Sequence, residues 1–433
     1  MKYLSCKDIE SSLYIAPNEI RSCCQRFFHK NKMRGDTKLL EIKDGITPKA
    51  NEIKKAREDL FEKIQKNKAE SCEGCPFLYK TNTKPKFSNE IKHLSIEHHS
   101  VCNLRCTYCS ETYYGGKRSK YNVVEFIEYL NKSGSFKNCK QVVWGGGEPT
   151  LDKSFDLIIK EIEKSANPNL YHRVFTNSTR YHKTIEELLK KRLIKIVTSV
   201  DAGTREKFKE VRGRDKFEEL FINLKKYSSV DPSRVTIKYI LTEENLSEDE
   251  LISFVNKCLE FNLTECCFQI SMNYKNKDLN LNFLKALLFL MGLLKENKIY
   301  KFFTDDHVAA RFRELNKDNK SEILKFIKQK NLTNVVFEKD TFDKINIYGA
   351  GDIAENIILK NMINFDKNNI EIYDGDPNKI GKLIGGIKIK KPDEIKRNNN
   401  KIYISAAQSY DDIYSNLLNM NIPDNRIVSG LFL

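Results

Sequence analysis

The stretch SIEHHSVCNLRCTYCSETYYGG, residues 95–116, places Cys102, Cys106 and Cys109 in a C-x3-C-x2-C array. Zinc closed off by protein takes four ligands. Three thiols within eight residues, with no fourth nearby, point instead to a metal centre with one position left open. Thiolates are soft donors that suit zinc or an iron–sulfur cluster. In a cluster of four irons, three cysteines hold three irons and leave the fourth for another ligand. A zinc site completed by His98 or His99 is the alternative that the residues leave open.

Outward from this loop, short apolar β-rich runs alternate with amphipathic helical ones. Strands are predicted at 94–98, 141–144, 172–176, 194–200, 234–241 and 265–270. Helices are predicted near 123–131, 154–162, 185–191, 217–227 and 247–260. Strands separated by helices imply a parallel sheet, either open and twisted or curling into a partial barrel. Ligands gather at the carboxyl ends of the strands in such folds. The cysteine loop follows the first strand, GGGEPT the second, TNS ends the third and SVDAG the fourth. Four clusters at one rim make a site.

C-x3-C-x-Y-C, with Tyr108 before the third cysteine, and Gly-Gly-Glu at 146–148 together resemble the radical SAM superfamily over about residues 90–272. The resemblance implies an α/β fold, a partial (β/α)6, TIM-like barrel. It implies a 4Fe–4S cluster on Cys102, Cys106 and Cys109, with S-adenosylmethionine (SAM) chelating the open iron. Reductive cleavage of the sulfonium would then drive hydrogen abstraction from a substrate, with a flavodoxin or ferredoxin as one-electron donor. Carried across by motif, Gly146, Gly147 and Glu148 would meet the α-ammonium of SAM. Tyr108 would lie near the adenine, mainly through its backbone. Ser199 and Arg212 would contact ribose and carboxylate, the latter through arginine's rigid fork of donors. Asn177 and Asp201 would touch SAM or substrate. Without the family, Glu148 reads as a solvent-facing turn carboxylate, Arg212 as a surface ion-pair partner, and Asn177 and Asp201 as turn caps. No residue stands out as a catalytic hydrogen or proton donor.

APNEIRSCCQRFF and NKAESCEGCPF place Cys23–Cys24 and Cys72–Cys75 on either side of a stretch read as helical and glycine-containing. The four thiols are candidate ligands of a second iron–sulfur cluster or of zinc, with Cys6 as a substitute. Paired cysteines, a later Gly, an Arg-bearing helix and C-x2-C resemble the SPASM or twitch modules of radical SAM peptide- and sugar-modifying enzymes. Those modules normally follow the barrel; this segment precedes it.

NIYGAGDIAENI reads as a strand, a G-x-G-x-x-A turn and a helix, and IEIYD ends a second strand at Asp374. Gly349 and Gly351 suit the tight turn, the helix start a nucleotide phosphate, and Asp374 a ribose. The continuation DGDPNKIGKLIGGIKI resembles Rossmann-like domains attached to sugar-modifying enzymes. That likeness implies a nucleotide or nucleotide-sugar ligand; a docking module without a ligand is the other reading.

With 433 residues, 40% hydrophobic and 31% charged, the chain has room for several domains. The expected division is a cysteine-rich segment 1–88, a radical SAM core 89–275, a helical extension 276–340 and a Rossmann-like domain 341–433. The net charge of +15 is spread as lysines among Asn, Ile and Glu, so nucleic acid is not an expected partner. FLKALLFLMGLL from Phe283 is too short for a bilayer, and no membrane partner is expected. The first residues lack an apolar run, so no secretory signal is expected. Twelve cysteines then suggest metal or redox chemistry in a reducing cytoplasm rather than disulfides. The expected substrate is a sugar or nucleotide-linked small molecule, with a ribosomally made peptide second. A non-catalytic zinc-binding scaffold and a nicotinamide-dependent dehydrogenase are the readings from other classes.

Overall fold

A computed structural model describes residues 2–30, 32–43, 45–110, 114–165, 167–168, 170–273, 281–305, 308, 317–337, 341–351, 354–355 and 366–432. The chain divides into two compact units, residues 1–105 with 109–197, and residues 106–108 with 198–433.

The first unit contains strands β1 (Ser12–Ile15), β2 (Glu19–Arg21), β3 (Lys38–Glu41), β4 (His93–Ile96), β5 (Gln141–Trp144) and β6 (Tyr171–Phe175). Strand β7 (Ile194–Ser199) begins in it. β4, β5, β6 and β7 pair in succession, all parallel, in the register Ser95, Val143, Arg173, Lys195. Helices α1 (Ala50–Gln65), α2 (Val123–Lys132), α3 (Phe155–Glu163) and α4 (Lys183–Lys190) accompany them. Alternation decides which face packs: Leu94, Ile96, Val142, Trp144 and Val174 are all buried, as are Phe126, Ile127, Ile158, Ile159 and Leu189 of the helices. Phe155 meets Trp144 edge to face at 4.8 Å. Each such side chain contributes roughly 1.5–3 kcal/mol by leaving water. Asn122 starts α2 by accepting the Glu125 N–H.

The amino-terminal segment extends this sheet. β1 pairs parallel to β4, Ser12 opposite His93, and β2 and β3 continue antiparallel. The stretch between the cysteine pairs is therefore not wholly helical, as the sequence suggested. It holds a hairpin, Arg26–His29 with Lys32–Gly35, then β3, before the helix α1. Arg57 of α1 is fully buried and donates to the carbonyls of Ser12, Ser88 and Glu90 at 2.8, 3.0 and 3.2 Å, which ties the helix to β1.

The second unit continues with helices α5 (Arg205–Arg212) and α6 (Phe217–Val230), β8 (Val235–Leu241), α7 (Glu248–Glu260), β9 (Cys267–Met272), α8 (Leu281–Glu296) and β10 (Phe302–Thr304). β8, β9 and β10 are parallel. The repeating strand–helix order and parallel pairing match the expected partial barrel. The strand predicted at 265–270 lies two residues later, and β10 and α5 were not predicted. α5 is mostly charged; its signals are the Thr204 cap and Gly213, which follows in the left-handed region at φ 72°. The apolar run from Phe283 is α8, and among the described residues no helix is long and apolar enough to cross a membrane.

Toward the carboxyl end, β11 (Ile345–Tyr348), β12 (Ile370–Tyr373), β13 (Ile387–Lys390), β14 (Lys401–Ile404) and β15 (Ile427–Val428) form a parallel sheet in the order β13-β12-β11-β14-β15. The order reverses between β11 and β14, where ligands of such sheets sit. The helix expected after Gly351 lies mostly outside the described residues.

Candidate active site

In the first unit, the glycine turn after β5 runs against the backbone that leads into the cysteine loop. Gly147 N–H donates to the His99 carbonyl at 3.0 Å and Glu148 N–H to that of Val101 at 2.8 Å. A Cβ on Gly147 would stand 2.2 Å from the Val101 oxygen, and one on Gly146, at φ 85°, 2.7 Å from the His99 oxygen. The glycines thus permit close approach, here to the chain's own backbone.

Glu148 follows them and is 2% exposed, which excludes the solvent-facing reading. One carboxylate oxygen accepts from the Thr150 N–H at 3.2 Å and from the hydroxyls of Thr150 and Thr176 at 2.7 and 2.8 Å. The other accepts the Asn177 N–H at 2.6 Å. Burying a carboxyl group is tolerated only with such hydrogen bonding. The Asn177 side chain, also buried, donates to Asn103 Oδ1 at 2.7 Å and lies 3.9 Å from Cys102 Sγ, which also receives the Leu104 N–H at 3.4 Å. Cys102 and Cys109 are both half-buried. Thr150 and Thr176 were missed in the sequence; the only signal was their position beside GGE and at the end of β6.

His98, His99 and Asp152 bring donor atoms within 4.8 Å of one another. His98 Nε2 pairs with Asp152 at 2.8 Å, and His99 Nδ1 accepts the Val101 N–H at 3.2 Å. Each ring thus uses one nitrogen within the fold, while His98 Nδ1 is buried without a partner. Burial pushes Asp152 up, but the His98 hydrogen bond and charge prevail and hold it below the usual carboxylate range.

In the second unit, Thr107 N–H donates to the Val211 carbonyl at 2.9 Å. Tyr108 hydroxyl and Arg212 Nη1 both donate to Asp201 Oδ2 at 2.6 Å, and Arg212 also donates to the Tyr108 oxygen. Asp201 and Arg212 are buried, so their ion pair is not the surface one that Arg212 suggested without the family. Asp201 sits at φ 61°, its Oδ1 accepting the Ile240 N–H at 2.7 Å and its carbonyl the Asn245 amide at 3.0 Å. Burial pushes the Cys106 thiol up, against the pull of Arg212. Ser199 ends β7, half-buried.

The amino-terminal thiols lie around a pocket lined by Cys6, Cys23, Cys72 and Cys75 among apolar residues such as Phe27, Leu60 and Ile64. Cys24 is not among its walls; it is exposed, and Glu97 is the charge that acts on it most. Cys6, which the sequence offered as a substitute, lines the pocket in place of Cys24. Burial pushes the thiol of Cys6 up to about 12 and that of Cys75 to about 11, and Cys23 and Cys72 act on both.

In the carboxy-terminal sheet, Asp374 braces the glycine turn. It accepts the N–H of Ala350 at 2.7 Å and of Asp376 at 2.8 Å, with Lys379 at 3.0 Å. Gly349 lies against Ser405 and Ala406, while a Cβ on Gly351 would meet nothing within 4 Å.

Residues 96–255 match the model of the Radical SAM superfamily, and residues 341–428 the model described as C2185-like, N-terminal. GTP 3',8-cyclase of Vibrio parahaemolyticus is 28% identical over 175 residues, 40% of this chain and 52% of that one. GTP 3',8-cyclase of Clostridium botulinum is 25% identical over 173 residues, 40% and 54% of the two chains. The chain spans about half the length of the curated relatives it matches. The crystal structure of Streptococcus suis SuiB bound to precursor peptide SuiA aligns with 63% of this chain and 68% of that one, at 16% identity and a TM-score of 0.42. Residues 96–255 are thus a radical SAM domain, of the superfamily whose cofactors are a 4Fe–4S cluster and S-adenosylmethionine.

Proposed function

We propose that this chain is a radical SAM enzyme in which Cys102, Cys106 and Cys109 hold the 4Fe–4S cluster, acting on a sugar or nucleotide-linked small molecule. When bound, the cluster and SAM supply one-electron cleavage of a sulfonium and a hydrogen-abstracting radical. The chain's own residues bind, orient and exclude water. The observation that carries the reading is the buried network of Glu148, Thr176 and Asn177, which fastens the Gly-Gly-Glu turn to the end of β6 and reaches Cys102. The Glu148 carboxylate lies beside the turn, a position that suits an ammonium group. N–H groups directed at a cysteine sulfur raise a cluster's potential, and Leu104 supplies one to Cys102.

The substrate class draws on two supports. The relatives are named for a nucleotide. The carboxy-terminal parallel sheet has an open glycine turn at its point of reversed order, which suits a Rossmann-like role with a nucleotide near Gly349 and Gly351. Asp374, already engaged by the turn, would bind a ribose only with its remaining acceptor capacity.

For the amino-terminal cavity the proposed ligands of a second cluster are Cys6, Cys23, Cys72 and Cys75. Sulfurs around one zinc stand about 3.8 Å apart, given zinc–sulfur bonds of about 2.3 Å. Among the described residues, no three of these thiols fall within 4.8 Å of one another. A cluster, which spreads its thiolates more widely than one zinc ion does, accords with that spacing. A one-electron donor such as a flavodoxin or ferredoxin, in the cytoplasm, completes the proposal.

Anaerobic reconstitution with iron, sulfide, SAM and reductant tests it. The expected products are methionine and 5'-deoxyadenosine, formed by the wild type and not by Cys106→Ala. Fully loaded protein that forms neither, with nucleotide-sugars and nucleotides supplied, overturns the reading.

A further inference from the structure

Tyr108 lies in the two-residue spacer between Cys106 and Cys109, and its side chain does not point into open space. Its hydroxyl shares one oxygen of Asp201 with Arg212 Nη1, both at 2.6 Å. The other Asp201 oxygen takes the Ile240 N–H at 2.7 Å, and Asn245 holds the Asp201 carbonyl and that of Ile240 at 3.0 and 2.9 Å. Asp201 therefore cannot shift without breaking the end of β8. The left-handed backbone at φ 61° is what turns its carboxylate toward both partners. Next to the knot, Thr107 N–H is fixed to Val211, the residue before Arg212.

Arg212 itself is 4% exposed, and its Nε is buried without a hydrogen-bond partner. Leaving a buried donor unpaired is costly. A guanidinium whose Nη1 is consumed by Asp201 still presents a free N–H edge, and that edge suits a carboxylate. Phe208 and Tyr108 lie 5.9 Å from the guanidinium carbon and restrict its rotation.

We infer that Asp201 is a positioning residue: it pins Arg212, and through Tyr108 the middle of the cysteine loop, so that the free Nε edge of Arg212 is held ready for the carboxylate of SAM. This rests on the radical SAM reading and adds to it a residue that acts through another. It makes a specific thermodynamic demand. If Asp201 works through Arg212, the two substitutions are not independent, and a double-mutant cycle shows coupling.

The test measures SAM binding by equilibrium dialysis to the reconstituted holoprotein with its cluster oxidised, so that SAM is not cleaved, with iron content and the electron paramagnetic resonance of a briefly reduced, frozen sample recorded for each variant. Asp201→Asn is expected to weaken SAM binding about tenfold while iron per chain is retained. Arg212→Lys, which loses the planar fork, is expected to weaken it by a similar factor. In the Arg212→Lys background, Asp201→Asn should then have little further effect. Tyr108→Phe removes one donor without disturbing the strand end. It is expected to weaken SAM binding severalfold and to alter the SAM-induced change in the resonance, and it serves if Asp201→Asn fails to fold. Full tenfold loss from Asp201→Asn in both backgrounds overturns the inference, as does unchanged affinity in Asp201→Asn or, where that variant does not fold, in Tyr108→Phe. A wild type that carries its cluster yet binds no SAM overturns the radical SAM reading itself, and this inference with it.

Discussion

Asn177 places its backbone N–H 2.6 Å from a carboxylate oxygen of Glu148, and both residues are buried. One is at the end of β6 and the other in the turn after β5, so this bond fixes the relative height of two neighbouring strand ends. The Asn177 amide, which approaches Cys102, inherits that position.

Removing the Glu148 carboxylate is therefore expected to act on stability before chemistry. The Thr150 and Thr176 hydroxyls can rotate to other acceptors, but the Asn177 N–H cannot. Glu148→Ala should lose roughly 3 kcal/mol in urea unfolding. Glu148→Gln should lose less, because its amide oxygen satisfies one side while its NH2 faces a donor on the other. Wild-type stability in Glu148→Ala would show that the network is not what holds the strand ends.

The amino-terminal thiols separate into those that face the cavity and one that does not. Cys6→Ala is expected to lose about half the iron and sulfide of the reconstituted protein, the share of one cluster in two. Cys24→Ala should match the wild type. Quantitation of iron on the two purified variants decides, and a deficit in Cys24→Ala with none in Cys6→Ala reverses the assignment.

Much of this architecture is legible in the sequence. The strands of the core announce themselves through β-branched runs between amphipathic helices, and the rim motifs through polar and glycine clusters that end those runs. The amino-terminal sheet strands are concealed because each is only three or four residues long, too short to show a period. Asp201 illustrates a deeper limit. Its partners Tyr108 and Arg212 are 93 and 11 residues away, and no local pattern encodes a contact made only when the chain folds. Cys6 is obscured for the same reason: its link to Cys72 and Cys75 exists only across the cavity.

Gly147 offers a test of the close approach at the loop. An alanine methyl there would lie 2.2 Å from the Val101 carbonyl oxygen, and hydrogen bonds hold the backbone on both sides of that contact. Gly147→Ala should cost about 2 kcal/mol of stability, the range for overpacking. It should also lower iron incorporation at the Cys102 loop. Reconstituted Gly147→Ala with wild-type cluster content and unfolding midpoint would mean that the turn relaxes freely.

A last prediction concerns acid. His172, in the middle of β6, is fully buried and accepts the Trp144 indole N–H on Nδ1 at 3.1 Å, so its ring is neutral in the folded protein. Burial pushes it down to about 4. In the unfolded chain a histidine binds its proton near pH 6.5. Between those values the unfolded state takes up a proton that the folded state refuses, so stability falls as pH drops from about 6.5 toward 4. The loss amounts to roughly 3 kcal/mol at the lower end, at about 1.4 kcal/mol per pKa unit. His172→Gln keeps an acceptor for Trp144 and does not titrate. Urea unfolding of both proteins at pH 7.0 and 4.5 should show a shallower decline for the variant, even if its stability at pH 7.0 is lower. Equal declines would mean that other groups carry the acid sensitivity and that the buried imidazole takes its proton without opening the sheet.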